Sequence, residues 1–157
     1  MKIETTMKRK VITVRTDATI AQAAKIIASQ RAGILPVLDE EGKPIGMIQL
    51  KDLISLVMPG FLNILDNVDF ISDFGMLEII RPDHTSLDQP VTTIMEPLMT
   101  IDQGSGLLRA YITMLQHDLF DLVVTDRDGK LVGLVSRVDI GTAIIHLWSV
   151  EKKCIFP

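Results

Sequence analysis

The sequence predicts an α/β (α+β) fold made of two copies of one β-α-β-β-α unit. The stretch "GKPIGMIQLKDL" at 42–53 aligns with "GKLVGLVSRVDI" at 129–140, so that Gly133 lies 87 positions after Gly46. The same offset keeps apolar and polar positions in step along most of both copies. Such self-similarity indicates a duplicated supersecondary unit. Because a single unit has a thin core, we expect the two copies to pack face to face through their sheets.

Each copy contains the same predicted elements in the same order. The first strands are short apolar runs, and the helices after them have apolar residues three and four positions apart. Acidic turns with a glycine, "DEEGK" and "DRDGK", separate the second strand from the third. The paired elements are first strands at 11–14 and 98–101, helices at 19–30 and 106–117, second strands at 34–38 and 121–125, third strands at 44–50 and 131–136, and last helices that begin near Lys51 and Val138.

This pattern divides the chain into repeat 1 at 1–57, a segment that does not repeat at 58–89, and repeat 2 with a C-terminal helix at 90–157. The middle segment carries three of the five phenylalanines and many Ile and Leu residues. It therefore predicts a docked helical insertion that ends near Pro82 and is followed by a polar loop. We expect the insertion to cover a core or a subunit contact, because its spaced carboxylates lack the dense ligand pattern of a calcium loop.

Composition excludes several classes of protein. The net charge of −4 argues against nucleic-acid binding, which normally needs a basic surface. A single cysteine, Cys154, cannot form an intramolecular disulfide and suits a reducing compartment. The N-terminus has no apolar stretch of the secretory kind, and the longest mostly apolar stretch, around 53–65, is shorter than the ~20 residues of a membrane span. We expect a cytoplasmic protein without membrane insertion.

The paired units resemble the cystathionine-β-synthase (CBS) domain family, two of whose domains in tandem form a Bateman module. The resemblance covers roughly 1–57 and 90–150, and it is carried by "LPVLDEEGKPIGMIQLKD", by "GLVSRVD" and by the leading stretches "TTMKRKVITV" and "TIMEPLMTI". It implies a stand-alone, non-catalytic module that binds AMP, ADP, ATP or S-adenosylmethionine between its repeats. It also implies a homodimer and an unknown regulated enzyme or transporter. No cofactor besides this regulatory ligand is expected.

The resemblance further implies a nucleotide site around Asp139. A carboxylate can accept hydrogen bonds from both ribose hydroxyls, and the hydroxyl of Ser136 can donate to a phosphate. Arg137 and Lys10 add positive charge, and the remaining residues flank adenine or line the cleft. The implied site residues are Met7, Lys10, Ile12, Ala32, Gly33, Ile34, Ser136, Arg137 and Asp139.

The corresponding cleft around Asp52 is expected to be the weaker site. Gln49 occupies the position of the Ser136 hydroxyl, and Asp121 adds a negative charge that repels a phosphate. Its implied residues are Gln49, Asp52, Met99, Phe120 and Asp121.

Other interpretations remain open from the sequence. Asp139 can be a carboxylate that stabilises a helix N-terminus without any ligand. The chain can also be a purely structural dimerisation module. Catalysis has little support, since the sequence shows no nucleophile–base pair, no metal-ligand cluster and no P-loop.

Overall fold

The computed structural model describes residues 1–57 and 82–155, with side chains described as far as Trp148. Its strands and α-helices follow the predicted order in both repeats. They are β1 (Val14–Arg15), α1 (Ile20–Gln30), β2 (Ile34–Leu38), β3 (Pro44–Gln49), α2 (Leu50–Ser55), α3 (His84–Leu87), β4 (Thr100–Asp102), α4 (Leu107–Gln116), β5 (Asp121–Thr125), β6 (Leu131–Ser136) and α5 (Arg137–Ile155). The predicted fold class is confirmed.

Each repeat contributes one three-stranded sheet with the same topology. In the first sheet, β1 runs parallel to β2, and β2 runs antiparallel to β3. The second sheet repeats this arrangement with β4, β5 and β6. Gly42 and Gly129 have φ values of 80° and 78° in the β2–β3 and β5–β6 turns. Glycine suits both turns because it adopts a positive φ without steric cost.

The first long helix of each repeat is defined by its ends and by one buried face. Thr19 forms a capping box at the start of α1, where its hydroxyl accepts a hydrogen bond from the Gln22 N–H. The buried face of α1 carries Ala23 and Ile27. After each helix the chain passes through a left-handed residue, Arg31 with φ 51° and then Asp118 with φ 50°. These two residues lie 87 positions apart and therefore occupy equivalent places in the repeats.

The segment that precedes β1 packs into the core of the second repeat. A short 3₁₀ helix, Ile3–Thr5, buries Ile3 completely against the cluster that contains Leu107 and Ile140. The main chain of Lys8 exchanges two hydrogen bonds with Leu134 in β6, at 2.8 and 2.9 Å. The N-terminus of the first repeat therefore adds an edge to the sheet of the second.

The segment that precedes β4 makes the reciprocal contact. A second 3₁₀ helix, Val91–Thr93, buries Val91 in the core of the first repeat. Glu96 exchanges main-chain hydrogen bonds of 2.9 and 3.0 Å with Met47 in β3. The two repeats are thus tied together by exchange of their leading segments.

Gly46 and Gly133 permit this close approach. A Cβ atom at Gly46 would lie 2.3 Å from the Met95 side chain and 3.0 Å from the Glu96 carbonyl oxygen. A Cβ atom at Gly133 would lie 2.6 Å from the Met7 sulfur and 3.1 Å from the Lys8 carbonyl oxygen. The exchanged segments therefore require a residue without a side chain at the centre of β3 and of β6.

Two expectations about the middle of the chain have different outcomes. Residues 58–81, where the helical insertion is predicted, lie outside the described residues. Where a polar loop was expected, the structure has the short helix α3, because the Asp83 carboxylate accepts a hydrogen bond of 2.6 Å from the Ser86 N–H and caps it. Within the described parts of the chain, no helix is both long and apolar enough to cross a membrane.

Candidate functional site

Two clefts lie where the repeats meet. The Asp139 cleft, of about 250 Å³, is lined by Lys8 and Lys10 from the leading segment, by the chain that connects α1 to β2, and by Asp121. The Asp52 cleft, of about 720 Å³, is lined by Gln49, Glu96, the chain that connects α4 to β5, and again Asp121. The cleft expected to be weaker is therefore the larger one.

The Asp139 carboxylate is held at the start of α5 by three contacts on one oxygen. Its Oδ2 accepts hydrogen bonds from the Ser136 N–H at 3.0 Å and the Ser136 hydroxyl at 2.7 Å. The Lys8 ammonium lies 3.4 Å from the same atom. Burial alone would raise the pKa of Asp139, but the Ser136 hydrogen bonds and the Lys8 charge outweigh it, and the pKa is lowered. The carboxylate is therefore ionised at neutral pH.

Five of the predicted residues are brought together beside it. Lys10, Ile12, Ala32, Gly33 and Ile34 all line the Asp139 cleft. They come from the leading segment and from the α1–β2 connection of the first repeat. These five residues therefore share one cavity.

Four residues implied for the Asp139 cleft do not line it. Ser136 and Asp139 adjoin it through the contact of Asp139 with Lys8, whereas Arg137 and Met7 point elsewhere. Arg137 donates hydrogen bonds to the carbonyl oxygens of Leu119 and Met114 and to the Asp118 carboxylate, and its guanidinium stacks 4.5 Å from the centre of the Phe120 ring. Arg137 thus stabilises the α4–β5 connection of its own repeat and does not add charge to the Asp139 cleft. Met7 differs as well, because its side chain is buried against Gly133 in the core of the second repeat.

The Asp52 carboxylate has a different environment. Its Oδ2 accepts a hydrogen bond of 2.7 Å from the Gln49 N–H, and the Lys51 ammonium lies 4.0 Å from Oδ1. Burial raises the pKa of Asp52, the Gln49 hydrogen bond opposes this effect, and the negative charge of Glu96 adds to it. Asp52 and Asp139 therefore have pKa values displaced in opposite directions.

The predicted residues of the Asp52 cleft are mostly assembled. Gln49, Phe120 and Asp121 line the cavity. Asp52 lies beside it, next to Lys51, and Met99 packs against the core of the second repeat. Burial raises the pKa of Asp121, and the nearby Asp139 charge adds to this effect while Lys8 opposes it. Among the described residues no group of three His, Cys, Asp or Glu side chains could hold a metal ion.

Comparison with protein families identifies the repeats. The model of the CBS domain matches residues 3–59 and 91–146. The chain belongs to the CBS domain family. Both clefts described above therefore lie between two CBS repeats.

Among its relatives, this CBS protein is 40% identical to the uncharacterized protein MJ1426 of Methanocaldococcus jannaschii, over 92% of either chain. It is 29% identical to the uncharacterized protein MJ1404 of the same organism and 28% identical to an inosine-5'-monophosphate dehydrogenase of Aquifex aeolicus. Each of these two alignments covers 88% of this chain, which spans only 31% and 24% of the respective relatives.

Solved structures of CBS proteins share the fold at low sequence identity. CBSX2 of Arabidopsis thaliana in complex with AMP has a TM-score of 0.70 at 19% identity, over 93% of this chain and 97% of that one. The CBS domain protein PAE2072 of Pyrobaculum aerophilum complexed with AMP has a TM-score of 0.66 at 21% identity, over 88% and 89%. The CBS domain pair of MJ0100, in complex with 5'-methylthioadenosine and S-adenosyl-L-methionine, has a TM-score of 0.66 at 20% identity, over 92% and 95%.

Sequence reasoning missed four charged residues at the CBS clefts. Lys8 and Arg31 line the Asp139 cleft, and Glu96 and Asp118 line the Asp52 cleft. The internal repeat could have indicated these four residues. Arg31 aligns with Asp118 at the repeat offset of 87, and Lys8 aligns with Glu96 once a one-residue gap is placed between the leading segments.

Proposed function

We propose that this CBS pair is a non-catalytic regulatory module that binds an adenosine-containing ligand between its repeats and signals to a partner protein. AMP, ADP, ATP and S-adenosylmethionine are the candidate ligands. The solved CBS pairs that contain AMP, 5'-methylthioadenosine or S-adenosylmethionine support this class of ligand. The observation that carries the proposal is the ionised Asp139, held by the Ser136 hydroxyl and Lys8, next to a cleft that Lys10 and Arg31 also line.

In the proposed mode, adenine lies in the apolar part of the Asp139 cleft. Ile12, Ala32 and Ile34 line it, and Gly33 borders it without a side chain. Apolar walls with a few convergent polar groups are typical of small-molecule sites. This arrangement would bind adenine without the help of any catalytic group.

In the same mode, the charged groups bind ribose and phosphate. The contacts of Asp139 with Ser136 and Lys8 use Oδ2, so the other oxygen offers lone pairs to the ribose hydroxyls. Lys8 has an exposed side chain, and it can exchange its ion pair with Asp139 for one with a phosphate. The Ser136 hydroxyl can likewise exchange its hydrogen bond to Asp139 for one to the same phosphate. Binding would therefore rearrange the junction between the leading segment and α5, which offers a route for signalling to a partner.

The test combines thermal shift and calorimetry on the full chain. A ligand present at 100 times its dissociation constant stabilises a protein by about 2.7 kcal/mol. For a chain of this size that corresponds to a rise in Tm of roughly 5–11 °C. We expect such a rise with AMP or another adenosine compound, and its loss in Asp139→Ala. If no adenosine compound moves the Tm, or if Asp139→Ala leaves nucleotide binding intact while Asp52→Ala abolishes it, the proposal is wrong.

Exposed apolar side chains favour a second candidate, a ligand-independent dimerisation module. Leu108 and Leu115 on α4 and Ile145 and Trp148 on α5 are all exposed. A pair of chains could cover these residues, in keeping with the expected homodimer. Light scattering at micromolar concentration separates the states, since a monomer has a mass of 17.4 kDa. A dimer that binds none of the adenosine compounds would favour this second candidate.

A further inference from the structure

The two clefts carry opposite charges at equivalent positions. Lys8 and Glu96 both exchange main-chain hydrogen bonds with the third strand of the other repeat. Arg31 and Asp118 both follow the first long helix and share the same left-handed conformation. Each pair therefore represents one structural position with its charge reversed between the repeats.

The reversal separates the clefts electrostatically. Beside the Asp139 cleft, three basic residues (Lys8, Lys10 and Arg31) face two carboxylates, those of Asp121 and Asp139. The Asp52 cleft has four carboxylates at or beside it but two basic partners. The carboxylates are those of Asp52, Glu96, Asp118 and Asp121, and the partners are Lys51 and Arg137. The first cleft has an excess of one positive charge and the second an excess of two negative charges.

The Asp52 cleft nevertheless has the form of a ligand site. Its volume of about 720 Å³ lies within the usual range for small-molecule pockets. Ile34, Met47 and Pro97 give it apolar walls, and the Phe120 ring, which is 68% exposed, offers a flat face. Polar side chains line it as well, among them Gln49 and Glu96, whose amide and carboxylate are joined by a hydrogen bond of 3.4 Å. A planar base fits these walls, whereas an anionic phosphate meets an excess of negative charge.

We propose that this charge reversal gives the two clefts different ligands. The Asp139 cleft takes an anionic nucleotide, and the Asp52 cleft takes a nucleoside-type ligand without phosphate that is uncharged or cationic. Glu96 and Asp118 are the residues that determine this specificity in the Asp52 cleft. The inference rests on the proposed function, because it takes both clefts to be adenosine sites.

Three probes that share adenosine and differ in charge test the inference by calorimetry on the full chain. They are AMP, adenosine and S-adenosylmethionine, which carries a sulfonium cation. We expect one AMP per chain, lost in Asp139→Ala. We expect S-adenosylmethionine to bind in the presence of saturating AMP, more tightly than adenosine, and to be lost in Asp52→Ala. Added salt should weaken both charged ligands more than adenosine.

A charge-swap variant tests one of the two named residues, Glu96, directly. Glu96→Lys introduces the side chain that already occupies the equivalent position, Lys8, and Glu96 is not buried, so the fold should persist. We expect it to weaken S-adenosylmethionine about tenfold and to admit a second AMP. The matched control is Glu41→Lys, which makes the same change in charge at an exposed residue of the β2–β3 turn that lines neither cleft.

The outcomes separate this inference from the proposed function. Two AMP molecules per wild-type chain with similar affinity, or S-adenosylmethionine competing with AMP for one site, would overturn the inference and leave the adenosine-binding module intact. The same holds if Glu96→Lys changes binding no more than Glu41→Lys does. If none of the three probes binds, the proposed function itself fails and the inference falls with it.

Discussion

Removing the side chain of Ile3 should destabilise the repeat to which Ile3 does not belong. Ile3 lies in the leading segment of the first repeat, yet it is 0% exposed and packs with Leu107 and Ile140 of the second. The substitution Ile3→Ala leaves a cavity in that core. The main-chain hydrogen bonds of Ile3 and Glu4 to Ser105 and Gln103 are retained, since they do not involve the side chain. The effect therefore measures the packing of the exchanged segment alone.

Substituting a fully buried isoleucine by alanine costs about 2–5 kcal/mol, from lost burial and from the cavity. For a chain of 157 residues, each kcal/mol lowers Tm by roughly 2–4 °C. A loss of about 3 kcal/mol thus lowers Tm by roughly 6–12 °C. This loss is a large share of the ~5–15 kcal/mol by which typical domains are stable.

Urea unfolding measures the total loss, and amide hydrogen exchange locates it. We expect reduced protection first in β5, at Leu122 and Val124, and later in β2. The matched control is Val138→Ala on α5, which shortens an apolar side chain that is 74% exposed and should stay within about 0.5 kcal/mol of wild type. The exchanged packing is refuted if both variants shift unfolding equally, or if Ile3→Ala lowers protection in β2 while β5 is unaffected.

The remaining predictions concern the junction between the leading segment and the second repeat. Gly133→Ala should cost about 1–3 kcal/mol in urea unfolding, because its Cβ atom is forced against the Met7 sulfur and the Lys8 carbonyl oxygen; wild-type stability would contradict the close approach. Asp121 has a raised pKa, so its contribution to stability is full below its ordinary value of 3.8 and is lost as pH rises through the folded pKa. Asp121→Asn should therefore raise Tm at pH 7, with a gain that shrinks in acid, and a lower Tm at pH 7 would refute this. Asp139 has a lowered pKa, so its stabilisation is present above 3.8 and is lost as pH falls through the folded pKa. Asp139→Asn should then lower Tm at pH 7 but not in strong acid. An equal loss of Tm at both pH values would show that the charge of Asp139 does not contribute to stability.

Much of the architecture could be predicted because the repeat appears in local patterns. The strands β2, β5 and β6 have the predicted bounds, and α1 begins at Ile20, one residue after its predicted start. Continuous apolar runs and helical periodicity depend on neighbours along the chain, so a single sequence shows them. The exchange of leading segments was not predictable in this way. Ile3 and Val91 look like ordinary apolar residues, and only the folded chain shows which core each enters.

The residue types of the candidate site were predictable, but the directions of their side chains were less so. Asp139 and Ser136 sit together because both belong to one strand-to-helix turn. Arg137 follows in sequence, but a residue at the start of a helix can turn its long side chain to either side. Here the carbonyl groups of Met114 and Leu119 and the ring of Phe120 draw it toward its own repeat. Such competition among distant partners leaves no local pattern in the sequence.

The shared wall between the clefts implies that the two proposed ligands affect each other. Gly33, Ile34 and Asp121 line both cavities, and Ile34 and Asp121 are equivalent residues at the starts of β2 and β5. An anion in the Asp139 cleft makes the potential at this wall more negative, which favours a cation on its other side and disfavours a second anion. Binding free energies couple reciprocally, so saturating AMP should tighten S-adenosylmethionine by the same factor by which S-adenosylmethionine tightens AMP. Calorimetry in both orders measures this factor. A factor below one would show that each ligand weakens the other across the wall, and the two ligands would then bind as alternatives instead of together.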